Sequence, residues 1–485
     1  MYIVNELSNN SAVCRARCVM TAVAPVIPQC MPCPRLLKSL ADSLSATCSR
    51  PIVMGVLGSV TLLGQPAFGQ DAITAPAPSA ATNQPSAALD FQSATLLNDF
   101  RLGPFDIQPR ITTGITYDDN ILISSQNPES DLIWSVQPAF LAVAGDRLAI
   151  EDYQRTYHNV VSFSPDTFII TEPEAWPGKT LMVDYGPKFN WFTEYTANDS
   201  IDEFLTVNAL WPTRNMILGV RQDYVLENTT IIEAGRRSWE QRIPTDLMAG
   251  YQLSERTTAE VNLNRTSVSY EQGSGLADYT DWNWNNWFNY QYSPRLNLGL
   301  GANLGALDLI SQPGQTYETP EVRARYRYGA RVLLDATFGI QLRQYGGGVP
   351  STTEPVFSLV AHYEASENTS FHLAAFRREL PSVSSGYDYI STGVSLGFQQ
   401  QFGDRYFASL EMTYYYSDYL TTSSDMLPTQ QADRVDNFIE VRPAIEARFS
   451  HHLVGSLFYL FRTDRSAQWP GWTDNQVGTR FTWTF

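Results

Sequence analysis

The sequence is poor in cysteine, lysine and histidine, and it has no long apolar run. All five cysteines lie at or before Cys48, so no disulfide framework holds the rest of the chain together. Cys30 and Cys33 form a C-x-x-C pair without a second pair of ligands, which disfavours a zinc site. No stretch contains the roughly 18 apolar residues that a membrane-spanning helix needs, which excludes a helical membrane protein. A net charge of −17 argues against nucleic acid as a partner, because such binding needs basic patches.

The first 104 residues are predicted to be a leader followed by a linker. Residues 1–69 place basic residues before an apolar core over Ile52–Leu63, and small residues follow shortly before Gln70. This is the pattern of a secretory signal peptide, with cleavage expected before Gln70. Residues 70–104 are rich in Ala and Pro, which indicates a flexible periplasmic linker without a core of its own.

From residue 105 to the end, apolar and polar residues alternate with a period of two. Over 296–304, 332–342 and 390–398 mostly apolar residues take every second position, with small or polar residues between them, and Leu333 breaks the pattern. Such alternation predicts strands with two different faces, and runs of about 10 residues suit strands that cross a membrane at a tilt. Many aromatic residues lie near the predicted strand ends, as in the interfacial girdles of a membrane barrel, although a soluble barrel with an aromatic core is the alternative. These residues are Trp282, Trp284, Tyr290, Tyr292, Tyr326, Tyr328, Tyr414, Tyr459 and Phe461.

The connections between predicted strands alternate between short and long. Short ones are expected at 293–295, 329–330, 365–368 and 402–404, and long polar ones at 227–239, 271–280, 309–317, 345–353, 419–434 and 464–474. Short turns at one end and long loops at the other are typical of outer-membrane barrels. The hairpins predict a single all-β, transmembrane antiparallel β-barrel over 105–485 with about 18 strands, the even number that bacterial barrels have. Residues 145–179 fit either an inserted loop or a hairpin, which widens the range to about 16 to 20 strands.

The last nine residues form an alternating strand that ends on an aromatic residue. Phe481, Trp483 and Phe485 fall on one face, and Arg480 falls on the other. An open apolar edge of this kind would promote aggregation of a soluble sheet, whereas in a closed barrel the strand pairs with the first one and faces lipid. The terminus resembles the C-terminal signal that the assembly machinery of bacterial outer membranes reads. That likeness implies the assembly machinery, lipid and lipopolysaccharide as partners.

Charged residues share the predicted inner faces of several strands. Unpaired charges cannot lie in a dry interior, so these faces must be wet or paired. Arginines opposite acidic residues would bias ion selectivity, or would brace the wall through ion pairs, and the two roles are compatible. The predicted pore-lining charges are Glu321, Arg323, Arg325, Arg327, Asp335, Arg343, Glu440, Arg442, Glu446 and Arg448.

The sequence offers little for catalysis or for cofactor binding. No phosphate-binding loop, dinucleotide fingerprint, H-E-x-x-H or G-x-S-x-G pattern occurs, so no catalytic residue, cofactor or metal site is predicted. His362 and His372 are expected to face each other across a turn as two solvated lumen histidines rather than as ligands of a metal. Asp118-Asp119-Asn120 could bind calcium, but capping of the loop by these side chains is the favoured interpretation.

The first predicted hairpin, over 109–146, resembles the opening of the beta-barrel porin 2 families. In those families a strand ends in Tyr with Asp or Asn, a polar loop follows, and the next strand carries a Pro before a Gly-Asp turn. The matching positions are Tyr117, Asp119, Asn120, Asp131, Pro138, Gly145 and Asp146. The resemblance implies an outer-membrane barrel associated with exopolysaccharide export, with polysaccharide and periplasmic export components as partners.

Three functions follow from these expectations. The first is an outer-membrane channel, passive or gated, through which solutes or exported polysaccharide pass along a polar lumen. The second is a non-conducting scaffold of a polysaccharide export system, which predicts a plugged lumen. The third and least favoured is a barrel-embedded enzyme acting on lipid or glycan, whose activity would depend on His362 or His372.

Overall fold

A computed structural model describes residues 100–145, 178–310, 314–329, 331–366, 368–384, 386–422, 434–466 and 471–485. The predicted leader, all five cysteines, the predicted linker up to residue 99 and residues 146–177 lie outside these ranges.

The described part of the chain is built from strands. They are β1 (Phe100–Leu102), β2 (Phe105–Asp118), β3 (Asp131–Gly145), β4 (Thr180–Tyr185), β5 (Lys188–Phe192), β6 (Ser200–Pro212), β7 (Met216–Ile231), β8 (Arg236–Ser254), β9 (Thr257–Tyr270), β10 (Tyr279–Ser293), β11 (Leu296–Leu309), β12 (Gln315–Tyr328), β13 (Val332–Tyr345), β14 (Thr352–Ser366), β15 (Thr369–Pro381), β16 (Tyr387–Phe402), β17 (Tyr406–Thr421), β18 (Val435–Arg448), β19 (Leu453–Ser466) and β20 (Trp472–Thr484). A short 3₁₀ helix covers Thr196–Asn198. No helix within the described ranges is long and apolar enough to cross a membrane.

The strands close into one antiparallel barrel of 18 wall positions. Each strand from β6 to β19 pairs with the next, and β20 pairs back onto β2, so the ring of wall strands is closed, while the short β1 pairs with β2 alone. β4 and β5 together fill the single position between β3 and β6. Pro187 separates them because proline cannot donate to the ladder. The prediction of about 18 strands is therefore confirmed.

The seam of the barrel is formed by the C-terminal strand. Ile111 of β2 lies opposite Trp483 of β20, and the Phe485 amide donates to the Pro109 carbonyl at 3.0 Å. In β20 the exposed and buried positions alternate, with Phe481, Trp483 and Phe485 outside and Thr482 inside. The predicted two-faced C-terminal strand is confirmed.

The outer surface carries a lateral apolar belt that the strand register produces. Phe288, Leu300, Val322 and Phe338 lie directly opposite one another on β10, β11, β12 and β13. Leu300 is 66% exposed and Phe338 is 49% exposed. Because side chains of one register row share a face, the belt is continuous around this part of the wall.

Connections at the two ends of the barrel differ in length, although less than the sequence suggests. The short-turn end, where β20 finishes, has the turns after β10, β12, β14 and β16 at the predicted places. At the opposite, long-loop end, the predicted loop over 227–239 is wrong. β7 and β8 continue through most of it, and only 232–235 connects them. Cross-strand pairs such as Asn228–Trp239 carry the ladder onward.

Candidate functional site

The interior of the barrel contains a cavity of about 300 Å³, open to solvent, that is lined by strands β6 to β19. Its lining is mainly polar on β8 to β13, where inward positions hold asparagine, threonine and charged residues. Alternate residues of each strand point outward and form the apolar belt, and the residues between them point inward and line the cavity. The cavity is thus a direct consequence of the period-two pattern in a barrel of this width.

Arg323, a predicted pore-lining residue, is held by three groups on neighbouring strands. Its guanidinium donates to Glu260 at 2.9 Å and to the side-chain oxygen of Asn289 at 2.7 Å. It also lies over the Trp287 indole, 4.3 Å from the ring centroid. Arg323 is buried, and a buried charge needs compensation. Here the Glu260 carboxylate and the face of the Trp287 ring provide it.

Arg325 and Arg343 are paired in the same way. Arg325 lies opposite Asp335 in the register and donates to it at 2.9 and 3.0 Å. Arg343 contacts Glu379 at 3.2 Å and Asp388 at 3.3 Å. The predicted arginine row on β12 and β13 therefore includes side chains that brace the wall through ion pairs, as one of the two sequence-based interpretations expects.

The predicted charges on β18 lie on its inner face. Arg442 donates to Glu440 at 2.9 Å and lies 3.7 Å from Glu411 of β17. Glu446 is buried, and the Arg448 guanidinium is 5.7 Å from the Phe407 ring centroid. The remaining predicted positions are on β12, where Arg327 is partly exposed near the short-turn end and Glu321 lines the cavity.

Sequence reasoning missed a fully buried ion pair near the long-loop end. Arg462 of β19 and Asp474 of β20 have no exposed side-chain surface, and their closest nitrogen–oxygen distance is 2.5 Å. Arg462 also approaches the Thr230 hydroxyl of β7 at 3.3 Å. The alternation of residues places Arg462 and Asp474 on the inner faces of adjacent strands, and this could have predicted the pair. The contact with β7 could not be predicted, because it depends on closure of the ring.

That contact belongs to a closure of the barrel at the long-loop end. Counting β4 and β5 as one position, β7 is fifth and β16 is fourteenth in the ring of 18, so the two strands lie on opposite sides. The β7–β8 tip nevertheless reaches the far wall. Ile232 packs in a cluster with Phe438, Trp472 and Ile123 from β18, β20 and the β2–β3 loop.

The β15–β16 tip meets the β7–β8 tip through hydrogen bonds. The Glu233 carboxylate accepts from the Ser382 hydroxyl and from the Val383 amide, the latter at 3.0 Å. The Val383 carbonyl accepts from the Ala277 amide of the β9–β10 loop at 2.8 Å. Arg434 donates to the Glu233 carbonyl at 2.8 Å. These contacts, together with the Ile232 cluster, are called the loop-end closure below.

Burial raises the pKa of the Glu233 carboxyl above its ordinary value of 4.5. The hydrogen bonds from Ser382 and Val383 and the charge of Arg434 act in the opposite direction, but more weakly. The loop-end closure therefore contains a carboxyl group that binds its proton more tightly than a solvated one would.

The carboxylates at the end of β2, which could have bound calcium, cap the following loop instead. Asp118 accepts from the Asn120 amide at 2.9 Å, and Asp119 accepts from the Asn475 amide at 2.7 Å, which is loop capping. Asp118 and Asp119 bring oxygens within 4.8 Å of one another and of Asp474, which is already paired with an arginine.

His362 and His372 are directly opposite each other on β14 and β15, as predicted from the turn between them. Their Nδ1 atoms are 3.1 Å apart, and His362 Nε2 lies 3.3 Å from Glu364. His372 is buried and His362 is partly exposed. The two rings join β14 to β15 near the short-turn end of the wall, and the expectation that both histidines are solvated is wrong for His372.

Comparisons with known proteins give similarity of structure only. No family model matches the chain, and no curated protein matches it. Among solved structures, OccAB4 of Acinetobacter baumannii is 13% identical over 78% of this chain and 98% of its own, with a TM-score of 0.40. OccK2 (OpdF) of Pseudomonas aeruginosa, solved with glucuronate, is 10% identical over 78% and 98%, also at 0.40. The CymD monoaromatic hydrocarbon channel is 10% identical over 84% and 94%, at 0.28.

Because these sequence identities and TM-scores are low, the barrel assignment depends on the strand pairing of this chain itself. The resemblance of the first hairpin to the beta-barrel porin 2 families is not matched by any family model and stays a prediction. The same holds for the predicted link to exopolysaccharide export.

Proposed function

We propose that this protein is a gated channel of the bacterial outer membrane for small polar solutes. The observation that carries the proposal is a cavity lined by many charged and amide side chains and enclosed by a wall whose outside is apolar. Lipid is the environment that suits a continuous belt of exposed Phe, Leu and Val, because a water-soluble protein rarely exposes such a surface. A closed ring also satisfies every wall strand without an edge, as a bilayer requires.

The balance of charge in the cavity favours cations over anions. Ten carboxylate and five arginine side chains line it, a formal excess of five negative charges. Arg323 and Arg434, which lie behind the lining, do not reverse this balance, because they pair with the lining carboxylates Glu260 and Asp436 and still leave an excess of three negative charges. Fixed charges of one sign in a narrow pore raise the local concentration of the opposite ion.

The loop-end closure makes the channel gated rather than permanently open. Two hairpin tips from opposite sides meet above the cavity and are held by one apolar cluster and a few hydrogen bonds. Contacts of this size are separable at a cost of a few kcal/mol, unlike the wall ladder itself.

The second candidate is a non-conducting scaffold, and the same closure is the observation that favours it. In that case the β7–β8 tip would be a permanent plug. The predicted periplasmic export components would then dock on the short-turn end, and no solute would pass.

Planar-bilayer recording of the refolded mature protein separates the two candidates. The channel predicts current steps that switch between closed and open levels, with a reversal potential in a salt gradient that indicates cation preference. Folding is checked first by the shift in gel mobility between heated and unheated samples. Folded protein that stays silent, even after deletion of residues 232–235, would support the scaffold and contradict the channel.

A further inference from the structure

We propose that a row of amide side chains on the lumen wall is a binding site for neutral polyhydroxylated solutes such as sugars. The row consists of Asn262, Asn285, Asn303 and Thr319 and is called the amide row below. This inference names the solute class of the proposed channel and so rests on that function.

The strand register assembles the amide row from four different strands. Asn285 of β10 lies directly opposite Asn262 of β9 on one side and Asn303 of β11 on the other. Asn303 in turn lies opposite Thr319 of β12. All four line the cavity. With neighbouring strands about 4.8 Å apart, the row extends across roughly 14 Å of wall.

Buried polar atoms in and beside the amide row lack partners among the described residues. The side-chain oxygens of Asn262, Asn285 and Asn303 accept no hydrogen bond there, and the Trp287 indole N–H donates none. Asn285 is 1% exposed, Asn262 8% and Trp287 4%. Buried amides are normally satisfied, so three unsatisfied amides on adjacent strands, all on residues that line the cavity, favour a ligand with matching groups.

The charges around the amide row are already engaged. Glu260 accepts from Arg323, and Asp246 accepts from Asn264 at 2.6 Å. Asp281 accepts from the Tyr317 hydroxyl at 3.0 Å. The row itself is uncharged, and carboxylates flank it on two sides. An anionic ligand would be repelled there.

The chemistry of the row suits hydroxyl groups better than it suits simple ions. An asparagine side chain offers two donors and an acceptor, and a threonine hydroxyl offers both kinds, so each member can serve a solute hydroxyl in either direction. The Trp287 indole adds a donor, while its face is occupied by Arg323. A neutral polyol satisfies both the oxygens and the N–H groups, whereas a cation would satisfy only the oxygens.

Sugar-induced reduction of ion current tests this site. Single-channel current of the wild type is recorded with increasing maltotriose, normalised to the conductivity of the bulk solution. The triple variant Asn262→Ala/Asn285→Ala/Asn303→Ala should raise the half-blocking concentration about tenfold, because several hydrogen bonds are lost. Asn297→Ala is the matched control, since it removes an inward amide of the same strand β11 outside the amide row.

Charged sugars of equal size test the solute class. Glucose should block more strongly than glucuronate, and no less strongly than glucosamine. If glucosamine blocks more strongly than glucose, the proposal of a neutral solute class is overturned. If maltotriose blocks the triple variant as strongly as the wild type, the proposed site is overturned, but the channel proposal is not. If the folded protein conducts no current, the channel proposal fails. Calorimetric titration of wild type and triple variant with maltotriose then decides the amide row, with equal or absent binding overturning it.

Discussion

Replacing Ile232 by alanine is expected to open the channel. Ile232 is the apolar anchor of the β7–β8 tip, is only 9% exposed, and packs with Ile123, Phe438 and Trp472 across the barrel. Ile→Ala truncation at a buried site costs about 2 kcal/mol or more. That cost falls on the closed state alone, because the side chain is solvated when the tip is released. The ratio of open to closed channels should therefore rise roughly 30-fold.

The measurement is open probability in planar bilayers at fixed voltage. Ile310→Ala is the matched control, because Ile310 lies at the same end of the barrel but is 62% exposed and should leave gating unchanged. Both variants must show the wild-type heat-modifiable mobility. An open probability for Ile232→Ala equal to that of the wild type would refute the assignment of this cluster as the gate.

Three further outcomes follow from the geometry. The pKa of Glu233 is raised above 4.5 in the closed state, so closure is most stable at low pH and weakens as pH rises through that raised pKa. Open probability should therefore increase as pH rises above the ordinary glutamate value of 4.5, and Glu233→Gln should abolish the dependence. Arg325→Ser should shift the reversal potential further toward cations by leaving Asp335 uncompensated, whereas the double variant with Asp335→Ser should restore the wild-type value. In Gly305→Ala the new Cβ would lie 1.9 Å from the Tyr317 ring, so the unfolding temperature should fall, by a cost of about 1–3 kcal/mol, and an unchanged temperature would contradict this packing.

The candidate site could be predicted only in part. The inward, buried positions of Arg323, Arg325 and Asp335 follow from parity along a strand, which is a local property. Their partners do not, because Glu260 lies 63 residues from Arg323 and joins it only when β9 and β12 are placed in one wall. The loop predicted over 227–239 was wrong for a related reason, since the ladder beyond the apolar belt is stabilised by a neighbouring strand rather than by hydrophobic alternation.

What the sequence alone determined is the repeating unit: strands of period two, an apolar outer face, a polar inner face and an even count near 18. These follow from the pleat of a strand, which assigns each residue to a face without knowledge of its neighbours. The tertiary structure alone decided which residues meet across the ring. Ile232 meets Phe438, and Asn262, Asn285 and Asn303 form one row, because register and closure bring together strands that are distant in the chain. The gate and the amide row are therefore properties of the closed barrel, whereas its wall was already determined by the alternation of residues.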